Sequence, residues 1–181
     1  MVFFAGRFVE RKGIHDLLAA IPTVLALAPE TRFILAGGYD TGPRIEQAWL
    51  PASLSAHRNH LRFTGWLTPV QVAEWYRAAD ILVVPSWYEP FGLVILEGML
   101  YGLPIAAAVV GGPLEILESD RTAVLFPPRN AEALACALLR LITQPELRAR
   151  IGQAAAQEVR RKWLWTHKVE EMRMVYAELR R

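Results

Sequence analysis

The sequence predicts an α/β fold, a doubly wound parallel sheet of roughly six strands with extra helices at its C-terminal end. Three observations lead there. Short apolar-rich stretches recur at 2–5, 32–36, 61–64, 81–85, 104–109 and 123–126. Neighbouring positions within most of these runs are apolar, so both faces of each strand need cover, as in a parallel sheet between two helical layers. Stretches with a 3.6-residue apolar period separate the runs, and beyond Pro127-Pro128 only such stretches follow. At 181 residues, 53% hydrophobic and 21% charged, the chain fits one domain able to bury a sizeable core.

The first strand, Val2 to Ala5, is followed by a loop over Gly6 to Gly13. A helix then carries Ile14, Leu17, Leu18, Ile21 and Leu25 on one face, with a kink expected at Pro22. Arg7 and Lys12 fall between strand end and helix start, the place where open α/β sheets bind ligands. A local ion network with Glu10 and Arg11 is the alternative. The strand at 32–36 ends in Gly37-Gly38, which either admit a nucleotide close to the backbone or turn the chain. These glycines do not form a G-x-G-x-x-G fingerprint, and no nicotinamide site is read from them. A short helix is expected from Pro43 to Ser55. His57 and His60 lack an evident third ligand and read as surface histidines, not a metal pair.

The strand Leu61 to Thr64 ends at Gly65-Trp66-Leu67. Thr68-Pro69-Val70-Gln71 reads as a capping box with proline at the first helical position, opening a helix that buries Val72, Trp75, Tyr76 and Ala79. The strand Ile81 to Pro85 leads through Glu89-Pro90-Phe91-Gly92 into a helix from Leu93 to Tyr101, closed by Gly102 and Pro104. After the strand Pro104 to Val109, the pair Gly111-Gly112 suits backbone approach to a ligand, and Glu115 suits a helix start. The last strand is Ala123 to Phe126. Asn130 then caps a helix with Leu134, Leu138, Leu141 and Ile142 inward. Pro145 starts another helix, with Leu147, Ile151 and Ala155 inward. Thr166 starts the last, with Val169, Met172, Tyr176 and Leu179 on one face.

The stretch Glu89 to Glu97 organises the rest. Two carboxylates flank a strand-to-helix turn. Pro90 holds Glu89 extended, and Gly92 lets a ligand approach the backbone. N–H groups at Phe91, Gly92 and Leu93 open the helix, where an anion is favoured. Glu97 lies roughly 7.5 Å further along the axis, about the span from a diphosphate to ribose hydroxyls, and a carboxylate accepts from two neighbouring hydroxyls. Glu89, on the other side of the turn, faces the sugar in this reading. Two surface glutamates around an ordinary turn are the alternative.

This string resembles the E-x7-E motif of retaining glycosyltransferases with the GT-B fold, in particular the group-1 class (family 4) of sucrose, sucrose-phosphate and polysaccharide-building synthases. Gly6-Arg7, Lys12-Gly13, Gly37-Gly38, Phe63-Thr64-Gly65, Pro85-Ser86 and Gly111-Gly112 with Glu115 recur in the order and spacing of that class. The resemblance covers nearly the whole chain as the C-terminal, Rossmann-like half of such an enzyme. It implies that residues 1–181 form the nucleotide-sugar (donor) binding domain, with an N-terminal acceptor-binding domain absent from this chain; the abrupt start on a core strand fits that expectation. It assigns Arg7 and Lys12 to the donor diphosphate, Glu97 to the ribose and Glu89 to the sugar ring, with front-face substitution in a tight ion pair as the mechanism usually proposed. Gly6, Gly37, Gly38, Phe91, Gly92, Leu93, Gly112 and Glu115 fall at the donor site. Trp66 and Leu67 fall beside the nucleobase, or simply pack. Gly98 stands where many relatives have alanine, which adds room in the helix at some cost in rigidity.

The implied reaction takes a sugar from a nucleotide-diphosphate sugar to an acceptor hydroxyl. The acceptor is a saccharide, a small molecule or a lipid-linked glycan brought by the missing domain, and the isolated half is expected to be inactive. No cofactor and no metal are expected, because side chains supply the positive charge. A non-catalytic nucleotide-sugar-binding or interaction module with the same fold is the alternative, and a GT-B epimerase a further one. Composition adds exclusions. Twenty Lys+Arg against 18 Asp+Glu give a net charge of +2, too little for a nucleic-acid partner. The single cysteine, Cys136, rules out an internal disulfide and is expected to be a buried helix residue in a reducing, cytoplasmic setting. No apolar run reaches membrane-spanning length, and the N-terminus lacks the basic start of a signal peptide. Arg160-Arg161-Lys162 beside Trp163 and Trp165 leave a peripheral membrane contact open, with a solvated helix end as the plainer reading.

Overall fold

The computed structural model describes residues 1–38 and 48–180. Six parallel strands, β1 (Val2–Ala5), β2 (Phe33–Ala36), β3 (Leu61–Gly65), β4 (Ile81–Val84), β5 (Ile105–Ala108) and β6 (Val124–Phe126), form one sheet in the order β3-β2-β1-β4-β5-β6. The chain winds outward from β1 to β3, then crosses back and winds the other way from β4. β1 and β4 are therefore neighbours, joined by Val2↔Ile81 and Phe3↔Leu82. Their C-terminal ends form the switch point at which α/β sheets open a crevice. On the far side, the β2–β3 register slips by one residue between Leu35 and Ala36.

The helices are α1 (Ile14–Leu27), α2 (Pro69–Ala78), α3 (Leu93–Leu100), α4 (Pro113–Ile116), α5 (Ala131–Thr143), α6 (Pro145–Glu158) and α7 (Trp165–Glu178). Alternation along the strands sorts the core into two layers. Val2, Phe4, Ile81 and Val83 pack with α1 and α5 on one face. Phe3, Leu82 and Val84 pack with α2, α3 and α6 on the other.

Local chemistry sets several boundaries as read from the sequence. Thr68 accepts from the Gln71 N–H and Gln71 returns the bond to the Thr68 N–H, completing the capping box of α2. Asn130 caps α5 by accepting from Ala133 N. Other expectations change. α1 continues past Pro22, which stays inside the helix. The Pro43 to Ser55 helix lies in part outside the described residues; the rest is a helical turn at 48–49 and a 3-10 segment, Ala52–His60. The last helix begins at Trp165, not Thr166, after a π-helical turn over Val159–Trp163. Cys136 is exposed rather than buried, because α5 buries Leu134, Ala135, Ala137, Leu138 and Leu141 and turns position 136 outward. Gly98 leaves no spare room in the helix: a Cβ there would lie 2.4 Å from Leu82 Cδ2, so the Leu82 side chain already fills that space. No described helix is long and apolar enough to cross a membrane.

Candidate active site

The loops after β1, β2, β3 and β4 meet over the switch point and are tied together by their backbones. Gly6 N–H donates to Ala36 O at 2.9 Å, and Gly37 N–H to Gly65 O at 2.9 Å. Gly37 has φ 138°, and a Cβ on it would fall 1.8 Å from Gly6 O, so only glycine fits between the two strand ends. A Cβ on Gly13, at φ 69°, would fall equally close to Pro85 O, so the β1 loop is pressed onto the end of β4. Trp87 N–H donates to Arg11 O at 2.8 Å, and the Trp87 indole donates to Asp16. The Arg129 guanidinium covers the Trp87 ring at 4.5 Å.

Above this junction lies a cleft of about 640 Å³, within the usual range for small-molecule sites, roughly 300–1,000 Å³. The β1 loop contributes Gly6, Arg7, Arg11 and Lys12. The loops after β2 and β3 add Gly37, Trp66 and Leu67. Glu89, Phe91, Gly92, Leu93 and Glu97 come from the β4 loop and α3. Gly92 is the N-cap of α3, with φ 100° and no side-chain cap, so the first N–H groups of the helix have no intrahelical acceptor. The positive end of α3 thus opens beside the β1-loop cations. Lys12 Nζ forms an ion pair with Glu89, whose side chain is only 9% exposed. Among the described residues no carboxylate pairs with Arg7 or Arg11. About one turn into α3, Tyr76 from α2 donates its hydroxyl to Glu97 Oε2 at 2.8 Å. Burial, reinforced by the Glu97 carboxylate, raises the Tyr76 phenol far above its ordinary value, so it stays a donor.

Eleven of the residues singled out from the sequence therefore line one cleft. Gly38, Gly112 and Glu115 do not. Gly38 lies next in the chain to a lining residue, at φ 88°. Gly112 supports the site from behind: its N–H donates to Glu89 O at 3.0 Å, and a Cβ would strike Pro90 O at 2.3 Å. Glu115 is exposed on the one-turn helix α4. Sequence reasoning missed Arg11, taken for a surface charge, and Tyr76, taken for packing. The usable signal for Tyr76 was its place on the buried face of α2, where a phenol hydroxyl needs a partner. Among the described residues no cluster of metal-ligand type occurs. His60 Nδ1 instead lies 3.1 Å from the Thr31 carbonyl.

Residues 1–158 match the family model for glycosyl transferases group 1. The chain belongs to that family. It is 31% identical to a glycogen synthase of Mycobacterium tuberculosis over 99% of its own length and 43% of that protein's. Among solved structures, sucrose-phosphate synthase from Thermosynechococcus elongatus superposes with a TM-score of 0.83 at 33% identity, covering 98% of this chain and 45% of that one. The C-terminal domain of a group 1 glycosyl transferase (LpcC) from Francisella tularensis superposes with a TM-score of 0.81 at 27% identity, covering 91% of this chain and 86% of that domain. The group 1 chain thus spans less than half the length of the curated relatives it matches, and its fold is the Rossmann-like half of a GT-B glycosyltransferase.

Proposed function

We propose that this chain is the donor-binding domain of a retaining glycosyltransferase that moves a sugar from a nucleotide-diphosphate sugar to an acceptor hydroxyl. The observation that carries the reading is the convergence of Arg7, Arg11, Lys12, Glu89, the open end of α3 and Glu97 on one cleft. Cations lie beside the N–H groups that open α3, and a carboxylate with its own donor follows about one turn along the same helix. That is the polarity of a nucleoside diphosphate.

In this reading the diphosphate sits on the first turn of α3. Arg7, Arg11 and Lys12 neutralise the charge that develops as the sugar–phosphate bond breaks. Glu97 accepts from the ribose hydroxyls. Glu89 receives the hydroxyls of the sugar ring once the diphosphate draws Lys12 away from it. Side chains supply the positive charge, so the reading needs no divalent ion. The acceptor, a saccharide, small molecule or lipid-linked glycan, enters through a second domain, and the isolated half is inactive. The face of α7 bearing Val169, Met172 and Tyr176, continued by Leu179 just past its end, all exposed, suits contact with such a domain.

The test is calorimetric titration of the chain with UDP, GDP and ADP and then their sugar conjugates, beside Glu97→Ala. Selective binding of one diphosphate, weakened about tenfold by the substitution, is expected, about 1.4 kcal/mol. A folded chain that binds none of them refutes the donor-site reading for this polypeptide.

A further inference from the structure

We propose that Tyr76 is the positioning residue for Glu97, and so sets how strongly the site demands ribose hydroxyls. The inference rests on the donor-site reading above. Glu97 stands on an exposed helix face, where a carboxylate normally samples several rotamers. Here one of its oxygens is fixed. The Tyr76 hydroxyl donates to Oε2 at 2.8 Å, and the phenol that carries it is itself immobile, being 2% exposed.

The immobility has a visible cause. Phe3, from the central strand β1, meets the Tyr76 ring edge-on, with centroids 5.3 Å apart and planes at 87°. Tyr101, just past the end of α3, stacks on the same phenol at 5.4 Å and 13°. The Arg77 guanidinium covers Tyr101 in turn, 5.6 Å from the ring centroid. Tyr76 therefore joins three elements, β1, α2 and the end of α3, and its hydroxyl ends on the carboxylate at the cleft. With Oε2 held, the remaining lone pairs of Glu97 are presented in one orientation to a pair of neighbouring hydroxyls. A ligand that finds its acceptor already oriented loses less freedom in binding it.

The consequence is selective. Tyr76→Phe keeps the ring, its packing against Phe3 and its stack on Tyr101, and removes only the donor. The test titrates wild type and Tyr76→Phe with UDP, ADP and GDP and, for whichever binds, with its 2′,3′-dideoxy counterpart. The expected result is a ribonucleotide affinity lowered about fivefold to tenfold, as for loss of one hydrogen bond to a charged group and the order it imposes. The dideoxy affinity stays within about twofold of wild type. In a Glu97→Ala background the same substitution has no further effect on the ribonucleotide, because the two residues act as one unit. Equal loss for both nucleotides means a general packing role and overturns the inference, as does no loss for either. Failure of wild type to bind any of the three diphosphates overturns the donor-site reading itself, and the inference with it.

Discussion

Replacing Lys12 by methionine probes the ion pair at the centre of the cleft. Methionine keeps an unbranched apolar stem and removes the charge, so packing of the lysine stem is largely retained. The partner left behind is Glu89, with 9% of its side chain exposed, and Lys12 itself is 18% exposed. Exposed pairs contribute about 0–1 kcal/mol, whereas removing one member of a buried pair costs about 3–5 kcal/mol because a carboxylate is stranded away from water. The exposures place this pair nearer the second case, with the open cleft providing some relief. A loss of about 2–3 kcal/mol is expected. For a chain of this size that is a fall in Tm of about 4–12 °C. The second arm is Lys12→Met with Glu89→Gln. Removing the stranded charge should restore at least about half of the loss, giving a coupling above about 1 kcal/mol in a double-mutant cycle. Urea unfolding followed by far-UV circular dichroism reads both quantities. A single-mutant loss below about 0.5 kcal/mol, or additivity in the cycle, would show that the pair is solvent-screened. The picture of a lysine held by Glu89 until a diphosphate displaces it would then fail.

Other outcomes follow from the same geometry. Gly13→Ala places a Cβ 1.8 Å from Pro85 O at φ 69°, so it should cost more than about 3 kcal/mol, part from the left-handed backbone and the rest from displacing the β4 end. Denaturant unfolding checks it, and a loss under about 1 kcal/mol would mean that the two loops are not pressed together. Glu158 carries the pH dependence of the α6 end. Its burial works to raise the carboxyl, but hydrogen bonds from Arg121 at 3.1 Å and Arg161 at 2.7 Å outweigh it and hold the group below its ordinary 4.5. A depressed folded-state value means that this contribution is fully present above about 4.5 and fades as pH falls through the folded value. Thermal melts of wild type and Glu158→Gln should therefore differ at neutral pH and converge well below 4.5. A gap that persists in acid would assign the effect to packing instead.

The features legible in the order of residues are local. Apolar runs and 3.6-residue periods gave the strands and helices, because burial on two faces or on one stripe leaves its period in the chain. Thr68 with Gln71 and Asn130 announced their caps, which depend on residues three apart. The string from Glu89 to Glu97 announced a strand-to-helix turn with an open helix end, and the structure has Gly92 there as N-cap. How distant segments meet depends on the fold. Lys12 reaches Glu89 across 77 positions, and Tyr76 reaches Glu97 across 21. Both contacts exist because β1 lies between β2 and β4, which brings loops far apart in sequence over one crevice. The same placement turned Gly112 from a ligand-facing glycine into a support behind Pro90, and Arg11 from a surface charge into part of the cleft wall. A residue's period records which side of its own element is buried. It carries no record of which other element's side chain waits there, and that pairing is where the site's electrostatics are set.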